Sequence, residues 1–288
     1  MPNKTYGELF REGQARLAAE SVPDADFDAR CLLSHAAGCA LSALRMLYTD
    51  AADEDIQNRF AAYLARRASG EPLQYILGEW DFYDMSFTVR EGALIPRPET
   101  EFLSLQAIRL LPKDGVLYDV CAGTGCVGLS AAMHRPDVQV LLFEKYDGAF
   151  AVLQDNMQRH ALPNVRAVRR DMFLGVPDGL PLPDGIVSNP PYIVTDELSS
   201  LQREVQYEPR QALDGGADGL RFYRALREMW FPLLKENGFL CMECGEDQPS
   251  LVAAMFKHTA RIDPDLTGTP RFVTILKEKT ERQEDHAS

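Results

Sequence analysis

Asn189-Pro-Pro-Tyr192 puts an amide, two imino acids and a phenol ring into four residues. Each proline fixes its own φ and restrains the residue before it, so the segment is a stiff, extended corner. Neither Pro190 nor Pro191 has an N–H to satisfy the Pro190 carbonyl locally. That carbonyl and the Asn189 side-chain oxygen form a pair of acceptors suited to a flat NH2 group. Such a grip matters chemically because an amide nitrogen is a poor nucleophile, its lone pair being delocalised into the carbonyl. Two acceptors holding both N–H bonds would fix its plane and direction. Tyr192 could stack on the amide and offer its π face to a sulfonium cation. The chemistry these residues could perform is in-line methyl transfer from sulfur to nitrogen, with no metal required. The gain would come from positioning and from acceptors that strengthen as charge develops on nitrogen. The competing reading is an ordinary loop corner.

A second group of residues points to a cofactor. In Asp119-Val-Cys-Ala-Gly-Thr-Gly-Cys-Val-Gly128, Gly123 and Gly125 allow a tight turn and close approach of backbone N–H groups to a ligand. Gly123 to Gly128 matches the spacing of the dinucleotide fingerprint. Glu144 ends the next apolar run, where it could accept hydrogen bonds from ribose hydroxyls. That pattern also suits a nicotinamide dehydrogenase, so it indicates an adenosine-containing cofactor without saying which. A plain strand-to-helix turn is the bland alternative. Asp171, in Arg169-Arg-Asp-Met-Phe173, could accept from an exocyclic amine such as adenine N6 while Met172 covers the ring. Alone, Asp171 reads more simply as a helix cap or a loop acid. In register with Gly123, Gly125 and Glu144, the cofactor reading gains.

The elements that must position these residues follow from periodicity. After Thr100, strands alternate with helices. Strands are expected at 115–121, 138–144, 165–170, 185–188, 238–243 and 271–277, with helices at 127–135, 148–160, 219–235 and 249–258. Alternation of this kind implies a largely parallel sheet covered on both faces, with ligands bound beyond the carboxyl ends of the strands. Residues 1–78 show helical spacing instead, as in Leu9, Phe10 and Leu17 and in Ile56, Phe60, Tyr63 and Leu64. Helices are expected at 24–37 and 53–69, the latter with Asp53 as cap and Gly70 as stop. Between the two regions, Phe82, Phe87, Val89, Leu94 and Ile95 surround Arg90-Glu-Gly92, which reads as a short β-hairpin. The expected division is therefore a helical domain at 1–78, a hairpin linker at 79–98, the sheet domain at 99–278 and a charged, disordered tail at 279–288.

Composition narrows the partners. The formal net charge of -13 argues against affinity built on neutralising phosphates, and so against nucleic acid. No run is apolar enough to span a bilayer and the first residues do not read as an export signal, so a cytoplasmic address is expected. The six cysteines are then expected to be reduced. Cys241 and Cys244 form a Cys-x-x-Cys, but residues three apart on a strand face opposite ways, so they are expected to be core hydrophobes and no metal site is assigned.

Several segments together resemble one family. They are Gly70-Glu-Pro-Leu-Gln-Tyr-Ile-Leu-Gly78, Leu94-Ile-Pro-Arg-Pro-Glu-Thr-Glu101, Asn189-Pro-Pro-Tyr192, Ala212-Leu-Asp-Gly-Gly216 and Asp265-Leu-Thr-Gly-Thr-Pro-Arg271. In this combination the chain resembles the release factor glutamine methyltransferases over nearly its whole length. Asn-Pro-Pro-Tyr alone is shared with DNA and RNA amino-methyltransferases. The resemblance implies an α/β fold, a Rossmann-like class I methyltransferase sheet with a small helical N-terminal domain, joined by the hairpin. That N-terminal domain reads either as a plain helical bundle or as a substrate-docking domain. It implies S-adenosylmethionine as cofactor and N5-methylation of the glutamine in the Gly-Gly-Gln loop of class 1 peptide-chain release factors. By similarity, Cys121, Ala122, Gly123, Thr124, Gly125, Glu144, Asp171, Met172 and Asn189 would bind the cofactor. Asn189, Pro190, Pro191 and Tyr192 would hold the glutamine amide, with Asn189, Pro190 and Tyr192 catalytic. Pro96 and Arg97, in Pro96-Arg-Pro-Glu-Thr100, would close over the substrate.

Two positions depart from that family pattern. A glycine is commonly present where Cys121 or Ala122 stands, and Asp84 replaces a glycine expected after Phe82-Tyr83. Three rival readings remain: a DNA or RNA amino-group methyltransferase working on a flipped base, a nicotinamide oxidoreductase, and a non-catalytic binding protein that kept the pocket. The negative charge weighs against the first. The second gives Asn-Pro-Pro-Tyr no work, and the retained Asn189 weighs against the third.

Overall fold

A computed structural model of the protein describes residues 4–279, so the expected disordered tail falls, but for Lys279, outside the described residues. The chain divides into two compact units, Met1–Glu79 with Gln202–Tyr207, and Trp80–Leu201 with Glu208–Ser288. The first unit thus takes in a short segment from the middle of the sequence that its composition does not set apart.

The first unit is helical: α1 (Tyr6–Ala19), α2 (Ala25–Ala37), α3 (Leu41–Leu44), α4 (Glu54–Ala68) and α5 (Leu73–Leu77). Thr5 and Glu8 start α1 by a reciprocal capping box, each side chain bonding the other's backbone N–H. Gly38, at φ 64°, stops α2 in the left-handed conformation. Asp53 occupies the N-cap position of α4, but its side chain makes no capping bond. Leu9, Leu17, Leu32, Leu33, Phe60 and Leu64 fill the core. Arg67 is buried beside them. Its Nε donates to Asp28 at 2.6 Å and its Nη2 pairs with Glu204, which fastens Gln202–Tyr207 to this unit. The Tyr207 hydroxyl adds a bond to the Ser69 carbonyl at 3.1 Å.

A two-stranded hairpin, β1 (Glu79–Phe82) and β2 (Met85–Thr88), begins at the last residue of the first unit's Met1–Glu79 segment and otherwise belongs to the second unit. Its turn lies at Tyr83 and Asp84, not around Arg90–Gly92 as the apolar pattern suggested. Tyr83 carries the positive φ, 48°, and tertiary contacts hold it there. Its N–H donates to Glu101 at 2.8 Å and its ring meets His134 edge-on. The departure at Asp84 therefore does not fall on the left-handed residue.

The rest of the unit runs α6 (Glu101–Leu110), β3 (Val116–Val120), α7 (Cys126–His134), β4 (Gln139–Glu144), α8 (Asp147–His160), β5 (Val165–Arg169), β6 (Gly185–Ser188), α9 (Arg221–Ala225), β7 (Phe239–Glu243), α10 (Pro249–Ala254), β8 (Ala260–Pro264) and β9 (Pro270–Leu276). The seven strands order as β5-β4-β3-β6-β7-β9-β8. The first five are parallel; β9 is antiparallel to both β7 and β8. Strand β8 escaped the sequence because it is an edge strand, exposed at four of its five residues, and shows no apolar alternation. The expected helix at 219–235 is broken. It is α for Arg221–Ala225, π for Leu226–Trp230 and 3-10 for Phe231–Leu233, where Pro232 offers no N–H to continue the ladder.

Two apolar clusters cover the two faces of the sheet. Leu117 packs into one, while Val116, Tyr118 and Val120 pack into the other, as the two-residue period of a strand requires. Cys241 and Cys244 fall in different clusters for the same reason, and all six cysteines are free. Strands β3, β4, β5 and β6 end at one edge, which puts Cys121, Lys145, Asp171 and Asn189 together there.

Candidate active site

The loop from β3 to α7 is shaped by three left-handed residues, Cys121 (φ 64°), Gly123 (φ 58°) and Gly125 (φ 81°). Gly125 is also hemmed in: a Cβ there would lie 2.3 Å from Leu153 Cδ1. Gly123 differs. A Cβ there would meet no atom within 4 Å, so its surface opens on free space that a ligand can approach. Asp119, on the buried strand β3, accepts the Gly128 N–H at 2.9 Å and so ties the start of α7 to β3. Burial pushes its carboxyl up to about 7, and the nearby Glu144 pushes the same way.

Glu144 closes the loop from the other side. One carboxylate oxygen accepts the Gly123 N–H at 2.9 Å, and the other accepts those of Lys145 and Tyr146 at 2.7 and 2.9 Å. Burial raises its pKa and the three N–H bonds oppose that shift. Two oxygens offer about four lone-pair sites, so three bonds leave room for one hydroxyl. Asp171 accepts the Phe173 N–H at 3.0 Å and pairs with Lys145 at 2.9 Å. Burial pushes its carboxyl up, but the Lys145 ammonium and the N–H outweigh it and hold it below the usual carboxylate range. Met172 is buried behind it, its carbonyl accepting the indole N–H of Trp230 at 3.0 Å.

These residues line one pocket. Of the residues the sequence singled out, Cys121, Ala122, Gly123, Thr124, Glu144, Asp171, Met172, Asn189, Pro191, Pro96 and Arg97 are in its wall. Gly125, Pro190 and Tyr192 are not; Gly125 sits at the N-cap of α7, where its left-handed backbone turns the loop into the helix. The pocket fits an adenosine-containing cofactor by its donor set: an open glycine backbone, one spare acceptor at Glu144, and an ionised acceptor at Asp171 beside a buried thioether. Among the described residues, no group of three or more His, Cys, Asp or Glu is placed to share a metal ion.

Asn189 follows β6 into this pocket. Its Nδ2 donates to Thr100 Oγ1 at 3.1 Å, and Thr100 Oγ1 donates to Glu243 Oε2 at 2.7 Å. Among the described residues, no donor bonds to Asn189 Oδ1 or to the Pro190 carbonyl, the two acceptors expected from the sequence. The corner is braced from behind. The Tyr192 carbonyl accepts from Gln248 Nε2 at 2.9 Å, and Ile193 exchanges backbone bonds with Leu213 and Gly215 at 2.9 and 2.8 Å. Gly215 is required, since a Cβ there would sit 2.7 Å from the Tyr192 backbone. The Pro96-Arg97 segment is held by Glu208, which accepts the Ile95 N–H at 2.9 Å and pairs with Arg97.

The sequence did not single out Glu243, Glu208, Gln248 or Lys145. Glu243 had a usable signal: it is an acid ending an apolar strand, the same pattern that drew attention to Glu144. Glu208 and Gln248 had none, because their partners are remote in sequence.

Two family models match the chain, one described as the PrmC N-terminal domain over residues 8–78 and one as the methyltransferase small domain over residues 100–216. A release factor glutamine methyltransferase of Geobacter sulfurreducens is 38% identical over 248 residues, covering 86% of this chain and 86% of that protein. The protein of the same name from Cereibacter sphaeroides is 36% identical over 273 residues, covering 93% and 96%. Among solved structures, a methyltransferase from Pyrococcus furiosus matches at a TM-score of 0.52 and 19% identity, over 77% of this chain and 99% of its own. The hMettl16 catalytic domain, solved in complex with the MAT2A 3′UTR hairpin 6, matches at 0.53 and 15%, over 75% and 82%. At such identities these two matches speak to the fold.

Proposed function

The chain belongs to the family of release factor glutamine methyltransferases, and from that premise we propose that it methylates the side-chain nitrogen of the glutamine in the Gly-Gly-Gln loop of class 1 peptide-chain release factors. It is an S-adenosylmethionine-dependent methyltransferase. Among the described residues no helix is long and apolar enough to cross a membrane.

The observation that carries the substrate reading is the state of Asn189. Its NH2 end is occupied by Thr100, and its oxygen end accepts nothing from the described residues. The Pro190 carbonyl next to it is also without a donor among them. A primary amide brings two N–H donors and matches that pair.

In this reading, Gly123, Glu144, Asp171 and Met172 hold the cofactor, with Cys121, Ala122 and Thr124 completing the wall. When bound, S-adenosylmethionine supplies an electrophilic methyl group on a sulfonium sulfur. Asn189 and Pro190 hold the glutamine nitrogen so that its face, not its N–H edge, meets the methyl group. The nitrogen gives up one hydrogen as a proton to solvent water, since neither carbonyl acceptor is a base, and keeps the other. Both acceptors bond more strongly as positive charge builds on that nitrogen, which is where their contribution to rate arises. Pro96 and Arg97, held by Glu208, wall the pocket on the substrate side, and the helical first unit docks the release factor.

Mass spectrometry of a Gly-Gly-Gln-bearing release factor after incubation with enzyme and cofactor tests this. The expected product carries one added methyl on that glutamine. An unmodified release factor, together with methylation of duplex DNA or of an RNA, would replace this reading with a base-modifying one.

A further inference from the structure

Glu243, Thr100 and Asn189 form an unbranched hydrogen-bonded line that reaches the pocket. Thr100 is 3% exposed and Glu243 1%, so the bond between them is shielded from water. Proton counting fixes its sense. A hydroxyl has one hydrogen and a carboxylate has none. With Glu243 ionised, the Thr100 hydrogen is committed to Glu243 at 2.7 Å. Thr100 Oγ1 then faces Asn189 with lone pairs alone, and only the NH2 end of the carboxamide satisfies it. The oxygen end is left for the pocket. Reversing the carboxamide would set two oxygens against each other and aim an N–H at an incoming NH2 group.

We propose that Glu243, acting through Thr100, is the positioning residue that turns the Asn189 carboxamide oxygen toward the substrate nitrogen. The identity of that nitrogen rests on the glutamine reading above; the orientation of Asn189 does not.

A proton on Glu243 reverses the arrangement. The neutral acid donates to Thr100, whose own hydrogen is freed to point at Asn189. The carboxamide is then satisfied the other way round, with its NH2 in the pocket, where it repels the substrate amide. Burial pushes Glu243 up to about 7 against the Thr100 bond; Glu99 raises it further, while Arg271 and Arg97 oppose. Asp119, pushed up to about 7 by burial, lines the same pocket and titrates in the same range. The other groups around Glu243 stay neutral there. Burial pushes Cys126, Cys241 and Cys244 up to about 12 and raises Tyr192 and Tyr223, whose hydroxyl bonds the Glu243 carbonyl. Glu243→Gln separates the two acids, because it abolishes a transition that belongs to Glu243 and leaves one that belongs to Asp119.

Two measurements test this. The first needs no substrate. In enzyme labelled with [15N]asparagine, the Asn189 side-chain NH2 signal, identified by its loss in Asn189→Asp, is followed from about pH 5.5 to about pH 8.5, a range wide enough to titrate a raised carboxyl. A transition that vanishes in Glu243→Gln and persists in Asp119→Asn is expected. A signal that does not move with pH, or that moves equally in Glu243→Gln, overturns the proposal. The second is single-turnover methylation of the release factor. Thr100→Val is expected to lower the rate about 100-fold, Thr100→Ser to restore it to within about threefold of wild type, and both to leave cofactor affinity in place. Glu243→Gln, whose amide oxygen can accept the Thr100 hydrogen, is expected to lose the acid limb of the pH–rate profile. A Thr100→Val enzyme as fast as wild type, or a Thr100→Ser enzyme as slow as Thr100→Val, overturns the proposal. If the wild-type enzyme leaves the release factor unmodified, the substrate reading fails, while the NMR titration still decides the role of Glu243.

Discussion

The Glu144 carboxylate accepts the Gly123 N–H at 2.9 Å, so the acid ending β4 is a structural brace of the glycine loop as well as a candidate ligand for the cofactor. Glu144→Gln keeps the shape but replaces one acceptor oxygen by an NH2 group facing backbone N–H groups. A hydrogen bond to a charged group contributes about 1.5–3 kcal/mol. The expected outcome is a loss of roughly 10- to 100-fold in S-adenosylmethionine affinity by calorimetry. An unchanged Kd would remove Glu144 from the cofactor site.

Asn189→Ala removes the oxygen proposed to grip the substrate and leaves the glycine loop, Glu144 and Asp171 intact. Turnover should fall by roughly 100- to 1000-fold. Cofactor affinity should stay within about threefold, a change of well under 1.4 kcal/mol. Near-normal turnover in this variant, measured with radiolabelled cofactor, is the result that sinks the amide-gripping argument.

Asp119 makes a prediction about pH and stability. Burial sets its folded-state value at about 7, above the 3.8 of the unfolded chain. The native state therefore binds the extra proton between about pH 4 and about pH 7. That contribution is fully present at the acid end and is lost as pH rises through about 7. Asp119→Asn keeps an acceptor for the Gly128 N–H and cannot ionise. Relative to wild type, it should gain stability between about pH 5.5 and about pH 8, with a slope of up to about 1.4 kcal/mol per pH unit. Urea midpoints at those two pH values check it; an equal difference at both would show that Asp119 is not perturbed.

Cys121 and Gly125 share a left-handed backbone but differ in their surroundings. Holding a non-glycine residue there costs about 1–2 kcal/mol, while glycine costs about 0.5–1 kcal/mol in chain entropy. Cys121→Gly should therefore fall between neutral and about 1 kcal/mol stabilising. Gly125→Ala adds both the strain and a contact 2.3 Å from Leu153, and should destabilise by about 2 kcal/mol or more. Denaturant unfolding of both variants checks the pair, and a Cys121→Gly enzyme as damaged as Gly125→Ala would contradict the account of the loop.

The departure from a glycine falls at Cys121, although Gly123 and Gly125 remain in the loop. Its left-handed backbone makes it a strained position. The hairpin shows the opposite case. Its apolar residues were legible, but the turn was set at Tyr83 by Glu101 and His134, partners far along the chain. Strand β8 had no pattern to read, because an exposed edge strand needs no apolar face.

The features legible in the residues alone are local: the alternation that makes a largely parallel sheet, the glycines that bend β3 into α7, the acids at 144 and 171, and the rigid corner at 189–192. Each is written in a handful of neighbouring residues, because dihedral preference and apolar periodicity act over that range. Folding was needed to show which way the Asn189 amide faces, that Glu208 holds Arg97, and that residues 202–207 belong with the helical unit through Arg67. Those outcomes depend on pairs roughly 90 to 140 positions apart, whose side chains meet only after the chain has folded. A buried hydroxyl with one proton to give cannot be read from spacing. It becomes decisive once Thr100 is locked between Glu243 and Asn189.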